Sequence, residues 1–113
     1  MTVYKIVAAD PWRAAEGDGI FTGAGIDLSD GFIHLSTGRQ ARRTAQLHFE
    51  GRGDLVLVAV DEASLGEALK YEPSRGGDLF PHLHGPLPMA AVQSVRPLPL
   101  AADGSHIFPE DVD

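Results

Sequence analysis

Three histidines are the residues of this chain best suited to chemistry. His34 lies inside "DGFIHLSTGRQ" (30–40), where an apolar run meets two hydroxyl residues and then a basic stretch. His82 and His84 lie in "FPHLHG" (80–85), at a spacing of two. Imidazole changes charge near neutral pH, so it serves as general acid, general base or metal ligand. Side chains two apart on a strand share a face, which puts His82 and His84 together. The same rule sets Phe32, His34 and Ser36 on one face of 32–36, with Ile33 and Leu35 on the core face. If 32–36 pairs with 79–85, the three imidazoles gather. Such a trio could hold zinc with a position open to water, which is the chemistry of a zinc hydrolase. Hydrogen-bonded edge histidines are the simpler reading of His82 and His84, and no metal is expected. For His34, a role in catalysis stands level with a hydrogen-bonded place in a partly buried face.

Further candidates surround these residues. "LKYEPSRGGD" (69–78) sets Lys70 and Glu72 on one strand face and Tyr71 on the other. Glu72 could act as a general base or hold a ribose hydroxyl, and Arg75 before two glycines could hold a phosphate. A solvated loop with a surface ion pair is the ordinary alternative. "TGRQ" (37–40) has the form of a capping box, with Thr37 at the N-cap and Gln40 three residues on. A helix start there lies next to His34, and its free N–H groups would suit an anion such as phosphate. Trp12 reads either as core or as a ring that stacks on a ligand base. Arg39, Arg42 and Arg43 read as a solvated helix face.

The elements that must position these residues follow from periodicity. "VYKIVA" (3–8), "FIHLS" (32–36) and "LVLVAV" (55–60) read as strands, the last apolar enough to be buried on both faces. Residues 70–72, 79–85 and 92–100 extend as well. Asp10 before Pro11 predicts an N-cap and a short helix that stops at Gly17. Residues 17–31 read as turns with one short strand at 20–22. Residues 38–49 read as a helix, and 61–69 as a short one capped by Asp61. The chain of 113 residues suits one domain, 1–100, followed by a loosely held acidic tail, 101–113. The predicted fold class is α+β, mixed and largely antiparallel, with two or three short helices; the resemblance given below implies that the sheet is split.

Composition narrows the function. The net charge of −7 disfavours nucleic acid and anionic membrane as partners. No cysteine is present, so disulfides and thiol chemistry are excluded, which fits a cytoplasmic protein. The first residues lack the pattern of a signal peptide, and no run reaches the roughly 20 apolar residues of a membrane span. Oligomeric state is not legible.

The blocks "VYKI", "GFIHLST", "LVLVAVD", "LKYEPSRGGDLFPHLHGPL" and the closing "PLPL" together resemble the bacterial domain of unknown function 952 family, over residues 3–100. The family often has tryptophan where Tyr71 stands and tyrosine where His84 stands, which speaks against a shared three-histidine metal site. The resemblance implies an ADP-ribosyltransferase-like fold, with a cleft for a nicotinamide dinucleotide between two sheets. It then implies NAD or an ADP-ribose-like molecule as ligand. His34, Ser36 and His82 would line the cleft, Tyr4 or Tyr71 would stack on a ring, and Lys5 or Arg75 would meet phosphate. The chemistry would be ADP-ribosyl or glycosyl transfer or hydrolysis at the anomeric carbon. A non-enzymatic accessory module is the alternative, and the zinc hydrolase a second one.

Overall fold

A computed structural model describes residues 1–113, with the side chain of Arg75 outside the described residues. In chain order the elements are β1 (Thr2–Ala8), α1 (Ala9–Asp18), β2 (Ile20–Phe21), α2 (Ile26–Asp30), β3 (Ile33–His34), β4 (Ser36–Thr37), α3 (Gly38–His48), β5 (Leu55–Asp61), β6 (Leu69–Pro73), β7 (Leu79–Leu83), β8 (Leu87–Pro88) and β9 (Val92–Pro97). Short 3-10 turns span Glu62–Ala68, Arg75–Gly77 and Met89–Ala91. One sheet has the order β4-β1-β5-β9, a second the order β3-β7-β6, and β2 pairs with β8. Every named strand pair is antiparallel. The architecture is α+β, as the alternation of elements predicts.

The uniformly apolar run 55–60 is central for a physical reason. β5 lies between β1 and β9, and both of its faces are covered. Val58 and Val60 face one core cluster with Val3, Val7, Trp12 and Phe21. Leu55, Leu57 and Ala59 face a second cluster with Tyr4, Ile6, Ala41 and Ala45 of α3. Alternation along β1 therefore sends Lys5 to the side of Val3 and Val7, into the first cluster. That single placement governs the site.

Four local expectations need correction. Asp10 does not cap α1: the N-cap is Ala8, and Asp10 lies inside the first turn, where its charge still complements the helix dipole. The helix runs past Gly17 to Asp18 and closes on Gly19 at φ 85°. Within the expected turn region stands α2, five residues between Gly25 and Gly31. Strand 32–36 is broken: Ile33–His34 pairs with β7, Ser36–Thr37 pairs with β1, and Leu35 between them donates its N–H to the Pro81 carbonyl at 3.0 Å. The chain thus changes sheets at Leu35.

α3 begins as the capping box predicts, with the Thr37 N–H donating to Gln40 Oε1 at 3.0 Å. The acidic tail is not loose. Val112 is buried in the second cluster and Phe108 packs against it. Arg42 Nη1 donates to the Val112 carbonyl at 2.6 Å, and Arg96 pairs with Asp111 at 2.9 Å. Gly38 makes the fit possible, because a Cβ there would lie 2.0 Å from the Asp113 carbonyl oxygen. Among the described residues, no helix is long and apolar enough to cross a membrane.

Candidate active site

The sheet β3-β7-β6 brings the histidines together. Its register sets His34 opposite His82, and Lys70 opposite His82 on the other side. Ile33, Leu35 and Leu83 point into the core from one face. On the other face Phe32 lies against all three imidazoles, with ring centroids 4.3 Å from His82, 4.6 Å from His34 and 5.1 Å from His84. The His34 and His82 rings stand edge to face at 5.5 Å. His82 is buried, whereas His34 and His84 are partly open to solvent.

Each side of the cluster is held by a carboxylate. Glu72, diagonal to His82 on β6, presents Oε1 to His82 Nδ1 at 2.9 Å and to His84 Nε2 at 2.7 Å. Hydrogen bonds from His84 and His82 draw the Glu72 carboxyl below its ordinary value. On the other side Asp27, from α2, presents Oδ1 to His34 Nδ1 at 2.6 Å and to the His34 N–H at 3.0 Å. An ionised carboxylate only accepts, so Nδ1 carries a proton toward Asp27, while Nε2 meets a second carboxylate, Asp30 on the exposed rim of α2, at 3.0 Å.

Asp27 is 3% exposed, and a bare carboxylate so placed would cost several kcal/mol, on the order of a Born penalty reduced by relaxation. It is not bare. Lys5 Nζ lies 2.8 Å from its Oδ2 and 3.1 Å from its Oδ1, and the Ala24 N–H donates to Oδ2 at 3.1 Å. Lys5 Nζ donates also to the His34 carbonyl at 3.0 Å. Burial pushes the Asp27 carboxyl up, yet the Lys5 charge and the bonds from Lys5 and His34 outweigh it, and the net shift is downward. Burial lowers the Lys5 amine, with Asp27 opposing. Gly23 lets the loop close over this pair, since a Cβ there would come within 2.9 Å of Asp27 Cβ.

The site predicted from the residues is thus partly assembled. His34, His82, His84 and Glu72 lie together. Lys5 is near but sealed, ion-paired and 6% exposed, so it does not meet a phosphate. Ser36, beyond the change of sheet, bonds Thr44 Oγ1 at 2.8 Å on α3 and leaves the imidazoles. Tyr4 and Thr37 line a separate hollow of about 580 Å3 beside Arg39 and Asp111. Tyr71 points to the opposite face of β6 and donates to Glu62; burial, then Glu62, pushes its phenol up to about 12. Trp12 is core, 1% exposed, with its ring 5.4 Å from Phe21 and its Nε1–H on Glu16. It does not stack on a ligand. Arg75 lies, by its side chain, outside the described residues.

In this structure each imidazole of the trio is engaged by a carboxylate. His82 and His84 turn their bonded nitrogens to one carboxylate oxygen while His34 turns both of its own to Asp27 and Asp30. Among the described residues, no group of three or more His, Cys, Asp or Glu side chains is placed to hold a metal ion. An open groove of about 360 Å3, walled by Ile20, Leu28, Phe32 and Pro86, meets the cluster through Phe32 and Asp27 and is not lined by His34, His82, His84 or Glu72. Asp27 is the residue that sequence reasoning missed. One signal pointed to it: Lys5 on the apolar face of a strand demands a buried anion.

Comparison with known proteins adds the following. Residues 6–95 match the sequence model of a family described as "Protein of unknown function (DUF952)". The crystal structure of protein CC0527 from Caulobacter crescentus is 48% identical, with 95% of this chain and 94% of that chain covered and a TM-score of 0.90. A double-mutant form of the same protein gives the same figures. Its solution NMR structure is 50% identical, covers 92% of this chain and 90% of that chain, and has a TM-score of 0.83. No curated protein matches.

Proposed function

The chain belongs to the DUF952 family of proteins of unknown function, and on that premise we propose that its His34–His82 face binds a small nucleotide-like molecule, NAD or ADP-ribose, and cleaves or transfers its ribosyl group by acid–base chemistry. The observation that carries this reading is the pair of imidazoles 5.5 Å apart, each held at Nδ1 by its own carboxylate, Asp27 or Glu72. A histidine held at Nδ1 by a carboxylate is the recurrent form of a general base when its Nε2 is free, and for His34 that requires the rim residue Asp30 to swing away from the 3.0 Å contact it makes there. The two-sheet architecture, with the cluster on the smaller sheet next to an open groove, supports an ADP-ribosyltransferase-like arrangement of ligand and protein.

For NAD and water the step balances as follows. Water attacks the anomeric carbon while the bond from that carbon to the pyridinium nitrogen breaks. The electron pair of that bond leaves on neutral nicotinamide, and His34 takes the proton of the attacking water. Glu72, held by His82 and His84, offers negative charge to the cationic transition state. Transfer differs only in the attacking hydroxyl.

Ligand-detected NMR and calorimetry with NAD and ADP-ribose test the reading, with nicotinamide release as the activity assay. Binding below millimolar, lost in His34→Ala, is the expected result. No binding at millimolar ligand removes the nucleotide. One observation favours the accessory-module reading: every imidazole of the cluster already has a carboxylate partner within the protein. Binding without turnover would select it.

A further inference from the structure

We propose that the hollow between β1 and the start of α3 binds a small zwitterion, a free α-amino acid, whose carboxylate meets the Tyr4 hydroxyl and Arg39 and whose ammonium meets Asp111 and Asp113. The site is separate from the histidine face and does not rest on the reading of that face.

Tyr4 is the anchor. Its ring packs in the second core cluster with Ala41 and Ala45 of α3, and the residue is 7% exposed. Among the described residues its hydroxyl has no hydrogen-bond partner, yet it is not one of the sealed polar atoms, since the one such atom left unpartnered is Arg96 Nε. What exposure Tyr4 keeps opens on the hollow of about 580 Å3 that it lines. Asp111, on the same wall, acts on the phenol, which sets the hydroxyl end of the ring toward the hollow. Burial, then Asp111, pushes the phenol up, with Arg96 opposing, so the hydroxyl stays a neutral donor. A buried tyrosine hydroxyl ordinarily finds its partner inside the protein. One that finds none, at the wall of an open hollow, calls for a partner that arrives from solvent.

The walls carry both signs of charge. Arg39 is exposed in the first turn of α3, at the positive end of the helix dipole, and makes no ion pair or hydrogen bond among the described residues. Asp113 likewise has no cationic partner there, and Asp111 pairs with Arg96 at 2.9 Å. A bare anion would gain Arg39 but face two carboxylates, and a bare cation would meet the reverse. A molecule that carries carboxylate and ammonium on adjacent atoms finds a complement for each. The volume suits it, since small-molecule sites span about 300–1,000 Å3.

Amide 1H–15N spectra of the full chain, recorded with a panel of free L-amino acids at millimolar concentration, test the proposal. At least one is expected to shift the Tyr4, Thr37 and Arg39 amides with saturation. Tyr4→Phe and Arg39→Gln should each weaken it about tenfold, the loss of one hydrogen bond to a charged group. Acetate and methylamine, which carry one charge each, should bind weaker by a similar factor. Tyr4→Phe removes a hydroxyl without a partner in the free protein, so it should resist urea at least as well as wild type. A Tyr4→Phe protein that is destabilised or unfolded reveals a partner inside the fold and overturns the proposal. So does a panel in which no amino acid shifts these amides, acetate that binds as tightly as the best amino acid, or either variant binding as wild type does.

Discussion

Replacing Asp27 by alanine is the sharpest perturbation the structure offers. The carboxylate accepts from Lys5 Nζ, the Ala24 N–H, the His34 N–H and His34 Nδ1. Alanine leaves Lys5, 6% exposed, with only the His34 carbonyl as acceptor. Removing one partner of a buried ion pair costs about 3–5 kcal/mol. Typical stabilities of about 0.05–0.15 kcal/mol per residue give roughly 6–17 kcal/mol for a chain of this length. Asp27→Ala therefore removes a large share of the whole. With an unfolding entropy of about 2.1 cal/mol/K per residue, each kcal/mol corresponds to roughly 4 °C, so the melting midpoint should fall by about 12–20 °C. Urea denaturation followed by fluorescence of Trp12, the chain's one tryptophan and a buried residue, reads the loss. The control is Lys5→Met/Asp27→Ala. If the penalty comes from a stranded ammonium, removing that ammonium should recover half of it or more. A loss under about 1 kcal/mol for Asp27→Ala, or a double variant no more stable than the single, would refute the claim that the pair is tightly coupled.

Three further outcomes follow from the same contacts. The folded Asp27 carboxyl lies below its ordinary 3.8, so its contribution is complete above that range and is lost as pH falls through the lowered value; denaturation midpoints should drop on acidification, and Asp27→Asn should flatten that limb. Gly38→Ala should leave α3 formed but expel the tail, since the new Cβ meets the Asp113 carbonyl oxygen at 2.0 Å; faster amide exchange at Val112 with unchanged helix content is the expected signature, and unchanged exchange would contradict the packing. Trp12→Ala should cost about 3–5 kcal/mol as a core truncation, whereas a ring reserved for ligand stacking would leave urea stability nearly unaltered.

What could be read from the residues divides along one physical line. β1, β5 and the start of α3 are legible because their signals are local: alternation, a continuous apolar run, and Thr37 three residues before Gln40. The meeting of His34 and His82 is legible too, because period two fixes faces and one assumed pairing does the rest. α2 is not legible. Five residues between two glycines cannot sustain a helix on propensity, and the contacts that hold Asp27 come from Lys5 and His34 outside it. The break at Leu35 is equally hidden, since it depends on which strand each half of 32–36 finds as neighbour. It removed Ser36 from the site. Lys5 was misread for a related reason: a lysine on a strand ordinarily reaches water, and its partner lies 22 residues away.

That pattern says something about the site itself. Asp27 and Lys5 break the rule that a strand's inward face and a short turn region should carry no buried charge. Evolution of a stable core alone would sooner place an aliphatic pair there, since buried ion pairs seldom outdo well-packed apolar residues of similar volume. Departures from local consistency of this kind concentrate where a fold serves chemistry. Here the departure ends on an imidazole, whose other nitrogen lies 3.0 Å from Asp30 on the rim of α2. On the far side Glu72 gathers the buried His82 and the partly open His84, with Phe32 packed against both rings. Two carboxylates brought from different elements hold neighbouring rings at Nδ1, which is the arrangement the proposed acid–base chemistry would use.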